Sequence, residues 1–283
     1  MLKPPEHQVA GHEAGAGKVG PLVDGSGHFY KPLQPGDERG AQEVAFYTSF
    51  SSDPRVPSSI RSFFPSFGGT QLLRTSDSSD VLLPHLVLED LLHGYSGPSV
   101  MDVKIGARTW YPRASESYFA KCLKKDREST TVPLGFRISG LQVHQESGRW
   151  KPDRNKVRKY TVTDVRQVLR QFVSKNPDET HPDCALASLV YGGSNGILAQ
   201  LLELKSWFED QTLFHFYSTS VLISYDKGGM GARVKLVDFA HAMEGEGIID
   251  HNFLGGLCSL IKFVSEILTD TEAEVGPANN GIV

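Results

Sequence analysis

Cysteine is scarce in this chain and forms no pattern. Its three copies, Cys122, Cys184 and Cys258, are odd in number and widely spaced, with no C-x-x-C pair and no local histidine partner. A disulfide framework and a structural zinc site are therefore disfavoured, and a reducing compartment is expected. Long hydrophobic runs are missing as well. None approaches the ~20 residues that cross a bilayer, and the start Met1-Leu2-Lys3-Pro4-Pro5 lacks the charged-then-apolar pattern of a signal peptide. A soluble, intracellular protein without membrane insertion is the expectation. Basic residues are not in excess: 29 Lys and Arg against 33 Asp and Glu give a net charge of -4, which speaks against direct binding of nucleic acid. Nor is there a repeat of fixed period. Gly15-Ala16-Gly17-Lys18 imitates a Walker phosphate loop, but His12 stands where the first glycine belongs and Val19 where a Ser or Thr would hold magnesium, so that motif is rejected.

What is present is enough apolar material for a large core. With 39% hydrophobic and 22% charged residues over 283 positions, the composition is that of a globular protein, in one large domain or in two lobes around a cleft. Two lobes are the reading adopted. Charge is uneven along the chain. Between Lys104 and Arg127 stand seven basic residues and only two acidic ones, a local charge of +5. One concentrated basic segment in an acidic protein suits a compact polyanionic ligand, although a solvated helix face gives the same pattern.

The local patterns predict a mixed α+β chain. Asp24-Gly25-Ser26-Gly27 offers hairpin chemistry between short strands over residues 9–31. Val44, Tyr47 and Phe50 share one side of a helix over 40–50. Val81-Leu82-Leu83 and Leu86-Val87-Leu88 read as two strand pieces, with Pro84 confining the first to an edge or an end. Tyr111-Pro112 precedes a helix with Ser115 near its start, on which Tyr118, Lys121 and Lys125 share a face. Further helices are expected over Val162 to Ser174, over 184–209 with a break near Gly192-Gly193, and over 253–268. Strands are expected over Phe216 to Tyr225 and Ala232 to Phe239, joined by a turn at Asp226-Lys227-Gly228-Gly229, and a polar, flexible tail from about residue 270.

The chemistry concentrates in Pro98-Ser99-Val100-Met101-Asp102-Val103-Lys104-Ile105-Gly106. Two residues apart in an extended segment, Asp102 and Lys104 project from the same face. A carboxylate that orients a hydroxyl beside a cation that neutralises phosphate charge suits phosphoryl transfer, while an ordinary surface ion pair remains the commoner reason for such a pair. This stretch resembles the P-x-x-x-D-x-K-x-G signature of the inositol polyphosphate kinase family. Five further segments resemble its motifs in order: Phe29-Tyr30-Lys31-Pro32-Leu33, Arg39-Gly40-Ala41-Gln42-Glu43-Val44-Ala45-Phe46-Tyr47, Leu86-Val87-Leu88-Glu89-Asp90-Leu91, Tyr217-Ser218-Thr219-Ser220-Val221-Leu222 and Leu236-Val237-Asp238-Phe239-Ala240-His241. The likeness runs from about Gly11 to Leu268, and the compact length is most similar to the plant multikinases of that family. No H-R-D-x-x-x-x-N loop or D-F-G triplet is present, which disfavours a typical protein kinase.

The resemblance implies a two-lobed, protein-kinase-like α+β fold with an ATP cleft. An N-lobe over 1–90 and a C-lobe over 91–283 are expected, with a small helical inositol-binding insertion about 107–135. It implies ATP and Mg2+ as cofactors and soluble inositol polyphosphates as substrates; the alternative is the same fold acting mainly as a partner-binding regulatory protein. By motif position Lys31 would hold the ATP phosphates with Glu43 as its ion-pair partner, and Glu89 and Leu91 would meet adenine through the backbone. Asp102 would serve as nucleotide ligand, hydroxyl-orienting group or base, and Lys104 would bridge the transferred phosphate and the inositol. Asp238 would bind the metal, assisted by Ser220. Arg39, Lys121, Lys125, Arg137 and His241 would face the inositol phosphates, whereas Lys124 and Arg127 are read as solvent-exposed. A monomer is expected. The basic stretch Lys151 to Lys159 reads either as a signal for nuclear entry or as an ordinary solvated loop; residence in nucleus and cytoplasm, with nuclear protein partners, is the expectation.

Overall fold

The computed structural model of the protein describes residues 1–11, 19–74, 82–226 and 231–275. The Walker-like Gly15–Lys18, Val81, the turn residues Lys227–Gly229 and the chain after Val275 lie outside them. The first half of the fold grows from the turn at Asp24, whose Oδ1 accepts from Ser26 N at 2.8 Å and His28 N at 3.0 Å. This joins β1 (Leu22–Val23) to β2 (His28–Pro32) as an antiparallel hairpin. After α1 (Glu38–Ser52) and α2 (Ser58–Arg61), β3 (Phe67–Arg74) and β4 (Leu82–Glu89) complete a four-stranded sheet of order β1-β2-β4-β3.

β4 is a single strand running straight through Pro84 in the interior of that sheet, where an edge or an end was expected. The N–H and C=O of a strand residue point to the same side. The Pro84 carbonyl accepts from Leu33 N at 2.9 Å, so the missing N–H also faces β2, which ends opposite His85. Little of the ladder is lost.

The second half contributes β5 (Pro98–Ile105), α3 (Glu116–Arg127), α4 (Thr131–Leu134), β6 (Phe136–Gln145), β7 (Gly148–Trp150), α5 (Arg154–Val157) and α6 (Val162–Phe172). Then follow α7 (Ala187–Val190), α8 (Ile197–Asp210), β8 (Phe214–Phe216), β9 (Ser220–Asp226), β10 (Arg233–Val237), β11 (Ala242–Glu244) and α9 (His251–Val275). A five-stranded antiparallel sheet has the order β10-β9-β5-β6-β7. Alternation sorts its two faces. Met101, Val103 and Ile105 of β5, Val221 and Ile223 of β9 and Leu236 of β10 are fully buried in the main core, each stabilising by roughly 1.5–3 kcal/mol. The opposite face carries Asp102, Lys104, Ser220 and Arg137, brought abreast by the pairing of Lys104 with both Ser220 and Arg137.

The helices over 162–174 and 184–209 form as expected, the second broken into α7 and α8 around Gly192-Gly193. α9 exceeds its expected length. Thr271 is buried and its hydroxyl donates to Ile267 O at 3.0 Å, so the helix continues past the point where the tail was placed. From His251 to Thr271 it is also long and apolar enough to cross a membrane, contrary to the expectation of no such run. Its Phe253, Leu257, Leu260, Val264 and Ile267 are buried in the main core, as in the core helix of a globular fold.

An aromatic cluster joins the halves. Phe239, directly after Asp238, stacks on Phe46 of α1 at 4.5 Å and on Phe64 at 5.1 Å, with Tyr47 edge-on at 5.4 Å. Phe239→Ala should lower stability by about 3–5 kcal/mol, read as a lower urea midpoint at unchanged slope. An unchanged midpoint would mean that this cluster does not hold the halves together.

Candidate active site

Three charged groups meet where the halves touch. On β2 the side chains alternate, so Tyr30 enters a small apolar cluster with Leu73 and Val87 while Lys31 points the other way. On α1, Glu43 lies on the buried helix face and is only 2% exposed. Lys31 Nζ reaches Glu43 Oε2 at 2.8 Å and Asp238 Oδ1 at 2.7 Å. Burial opposes the charge on Lys31, but the carboxylates of Asp238 and Glu43 outweigh it and raise its pKa. Glu43 also accepts from Phe239 N at 3.2 Å, which ties α1 to the chain segment that presents Asp238.

Asp238 has φ = 68°, in the left-handed region, where a residue with a side chain costs roughly 1–2 kcal/mol. Thr219 holds it there, its hydroxyl donating to the Asp238 carbonyl at 3.0 Å. Thr219 interrupts the family's serine pattern, and backbone support is what it supplies. Ser218 is likewise left-handed, with φ = 57°. Its carbonyl accepts from Lys104 Nζ, and its hydroxyl donates to Thr109 O at 2.9 Å.

Asp102 and Lys104 do share the cleft face of β5. Asp102 is 6% exposed and its Oδ1 is buried without a hydrogen-bond partner among the described residues. Burial raises its pKa and the Asp238 charge adds to this, against the Lys104 ammonium. Lys104 is pushed the other way by burial and by Arg137 and Lys31, against Asp238 and Asp102. The strand register sets Arg137 and Ser220 beside Lys104. Gly106 closes the signature with φ = 109°, and a Cβ there would meet Asn252 Nδ2 at 2.6 Å, so the position requires glycine.

At the Lys104 end, α3 starts at Ser115, whose hydroxyl accepts from Tyr118 N. Tyr118 Oη hydrogen-bonds His241 Nε2 at 2.8 Å, and the Tyr111 ring stacks on His241 at 4.8 Å. Burial, then Arg39 and Lys104, lower the His241 pKa to about 4, so its ring is neutral near pH 7. Lys121 and Lys125 project from α3 unpaired among the described ion pairs, and burial followed by the charges of Lys121, Arg137 and Arg158 lowers the Lys125 pKa. Arg137 is anchored by buried Asp126 at 3.1 Å and Thr131 Oγ1 at 2.7 Å. Arg39 forks onto Asp37, the cap of its own helix. Lys124 is exposed and 3.9 Å from Glu128, and Arg127 is exposed, as expected of both.

At the other end of β5, Glu89 closes β4. Its carboxylate takes Lys235 Nζ at 3.2 Å and Ser66 N at 3.2 Å, side-chain contacts that reading it as a backbone hinge residue did not anticipate. Sequence reasoning gave no site role to Tyr111, Tyr118, Asp126 or Thr219. Two of them carried a signal: Tyr118 by sharing a helix face with Lys121 and Lys125, and Asp126 as one of only two acids in the basic segment.

The residues fit a nucleotide-bound magnesium ion. Asp238 offers a half-exposed carboxylate, and Ser220 Oγ is buried without a partner among the described residues. Magnesium in kinase sites takes one or two protein carboxylates and draws its other ligands from phosphates and water. No cluster of three or more metal-ligating side chains exists among the described residues, in keeping with that mode of binding.

A family model described as inositol polyphosphate kinase matches residues 85–265. The chain belongs to the inositol polyphosphate kinase family. It is 58% identical to inositol polyphosphate multikinase beta of Arabidopsis thaliana over 96% of this chain and 95% of that protein. It is 55% identical to a multikinase of Oryza sativa subsp. indica over 95% of each. A solved inositol phosphate multikinase structure, 53% identical, superposes with a TM-score of 0.70 over 80% of this chain and 99% of its own. The multikinase of S. cerevisiae in complex with ADP and Mn2+, 20% identical, shares the fold with a TM-score of 0.66 over 86% of this chain and 99% of its own.

Because the folded-state pKa of His241 lies below the usual 6.5, the unfolded chain binds more protons between about pH 6.5 and 4. Stability from this group is complete above that window and falls as pH drops through it. Wild type should therefore lose more thermal stability between pH 7.5 and 4.5 than His241→Gln does. Parallel pH profiles would show that His241 titrates normally.

Proposed function

We propose that this chain transfers the γ-phosphoryl group of ATP to hydroxyls of soluble inositol polyphosphates, carrying inositol 1,4,5-trisphosphate to tetrakis- and pentakisphosphates. The observation that carries the reading is the meeting of Lys31, Asp238, Asp102 and Lys104 in one cleft, with a basic helix at its Lys104 end. Relatives of this chain are named multikinases over nearly their full length, and one solved relative holds ADP and Mn2+. Bound Mg2+ supplies charge neutralisation across the phosphates.

In this reading Lys31 holds the nucleotide phosphates, kept in place by Glu43, and Asp238 with Ser220 takes the metal. Adenine meets the backbone of Glu89 and Leu91. Asp102, with an unpartnered buried oxygen, accepts a hydrogen bond from the attacking hydroxyl or the ribose. Lys104 spans the moving phosphate and the inositol. Arg39, Lys121, Lys125, Arg137 and His241 bind the remaining phosphates, with His241 as a neutral hydrogen-bonding group. Several phosphates on a small ring need several cations at once, and a cleft makes multivalent pairing stronger than isolated surface pairs.

We further propose residence in nucleus and cytoplasm, a monomeric state and nuclear protein partners. Lys156, Arg158 and Lys159 are exposed for a transport receptor, whereas Lys151 and Arg154 donate to backbone carbonyls.

Incubation with ATP, magnesium and a panel of inositol phosphates, resolved by chromatography, should yield tetrakis- and pentakisphosphates; absence of product from every member would refute the reading. Lys121→Ala and Lys125→Ala should each raise KM for the inositol phosphate about tenfold, leave KM for ATP unchanged and lose effect as salt rises. Lys104→Ala should depress kcat. Helix variants that lost ATP affinity and kept substrate selectivity would place α3 on the nucleotide side.

A further inference from the structure

The first residues of the chain cross from one sheet to the other. Lys3 pairs with Val23 of β1, with Lys3 N to Val23 O at 3.0 Å and Val23 N to Lys3 O at 2.8 Å. From there the chain runs over the five-stranded sheet. Gln142 Nε2 of β6 donates to His7 Nδ1 at 3.0 Å and to Pro98 O, at the start of β5, at 3.0 Å. Val9 is 5% exposed. Its carbonyl lies so close to Gly140 that a Cβ there would stand 1.9 Å from Val9 O.

Three basic side chains after β6 hold this segment by its carbonyls. Arg149 donates to Glu6 O at 3.1 Å, Lys151 to Gln8 O at 2.9 Å and Arg154 to Gly11 O at 3.0 Å. The basic stretch that the catalytic reading leaves unused is therefore in part a comb of donors for one extended segment. Each contact is exposed and worth little alone, so the buried Val9 and the three contacts must act together.

The register says what this segment adjoins. Gly140 is the cross-strand partner of Asp102 and Gln142 that of Val100, and directly paired residues point to the same face. The segment thus lies on the cleft face, on the hinge side of Asp102, while the pair Lys104 and Arg137 marks the end where α3 sits. His7 is close enough to Asp90, just after β4, to feel its charge.

We propose that residues Lys3 to Gly11, held by Arg149, Lys151 and Arg154, form a wall of the nucleotide side of the cleft and position the nucleotide against Asp102. This rests on the kinase reading above, and two kinds of variant test it. Gly140→Ala places a methyl group against Val9 O at a position whose backbone accepts alanine, and the double variant Lys151→Ala/Arg154→Ala removes two of the three holders.

For both, KM for ATP and the calorimetric Kd for magnesium-ATP should rise about tenfold, while KM for inositol 1,4,5-trisphosphate stays within about twofold. Lys151→Arg, which keeps a donor, should bind nucleotide like wild type. Unchanged nucleotide affinity in the double variant overturns the proposal, as does an equal loss in both KM values. Should Gly140→Ala fail to fold, the double variant decides alone. Failure of the kinase reading is distinguishable: wild type would give no product, whereas failure of this proposal leaves wild type active and the variants' nucleotide affinity unaltered.

Discussion

The contact of Lys31 with Glu43 and Asp238 is the constraint around which the cleft is arranged. One ammonium takes two carboxylates, one from α1 and one from the segment after β10, and so couples elements 207 residues apart in sequence. Glu43 is buried, so its charge depends on the Lys31 ammonium for compensation. Phe239 supplies the apolar counterpart. By stacking on Phe46 and Phe64 it fixes the depth at which its neighbour Asp238 emerges, and by donating its N–H to Glu43 it joins the aromatic cluster to the ionic one.

From that point the cleft is ordered along β5. Residue spacing of two keeps Val100, Asp102 and Lys104 on one face, and the chain direction lays them out from the hinge towards α3. In the function we propose, Glu89, its Lys235 partner and the segment across Gly140 belong to the nucleotide side, and Arg137, Lys121, Lys125 and His241, at the Lys104 end, to the polyanion side. The two ends differ electrostatically. Burial, and after it the neighbouring cations, lower the pKa of Lys104 and Lys125, although Asp238 and Asp102 oppose this at Lys104.

Much of this was legible in the sequence because it depends on short-range periodicity and on motifs. The D-x-K spacing fixed which face Asp102 and Lys104 share, and Ser115 with the three- and four-residue spacing defined α3. Partnerships between distant segments were not legible. Nothing local to Arg137 announces Asp126 as its anchor, and nothing in Tyr118 announces a hydrogen bond to His241, 123 positions away. Pro84 misled for a physical reason: a proline is excluded from an interior strand only where its N–H would face a partner, and β2 ends just there. Thr271 misled because its polarity suggested solvent, whereas its hydroxyl is satisfied within its own helix. The basic stretch after Arg149 reads as a solvated loop or a targeting signal until its donors are seen meeting the carbonyls of Glu6, Gln8 and Gly11.

In the function we propose, Asp238, ion-paired with Lys31 at 2.7 Å, would take the metal that accompanies the nucleotide. Calorimetric titration of ATP into wild type and Asp238→Asn, each with and without Mn2+, tests it most directly, because the substitution removes charge at nearly constant shape. The metal should tighten ATP binding by wild type by at least tenfold, about 1.4 kcal/mol, and leave the variant's affinity nearly unchanged. Equal tightening in both proteins would contradict the account and place the metal elsewhere in the cleft.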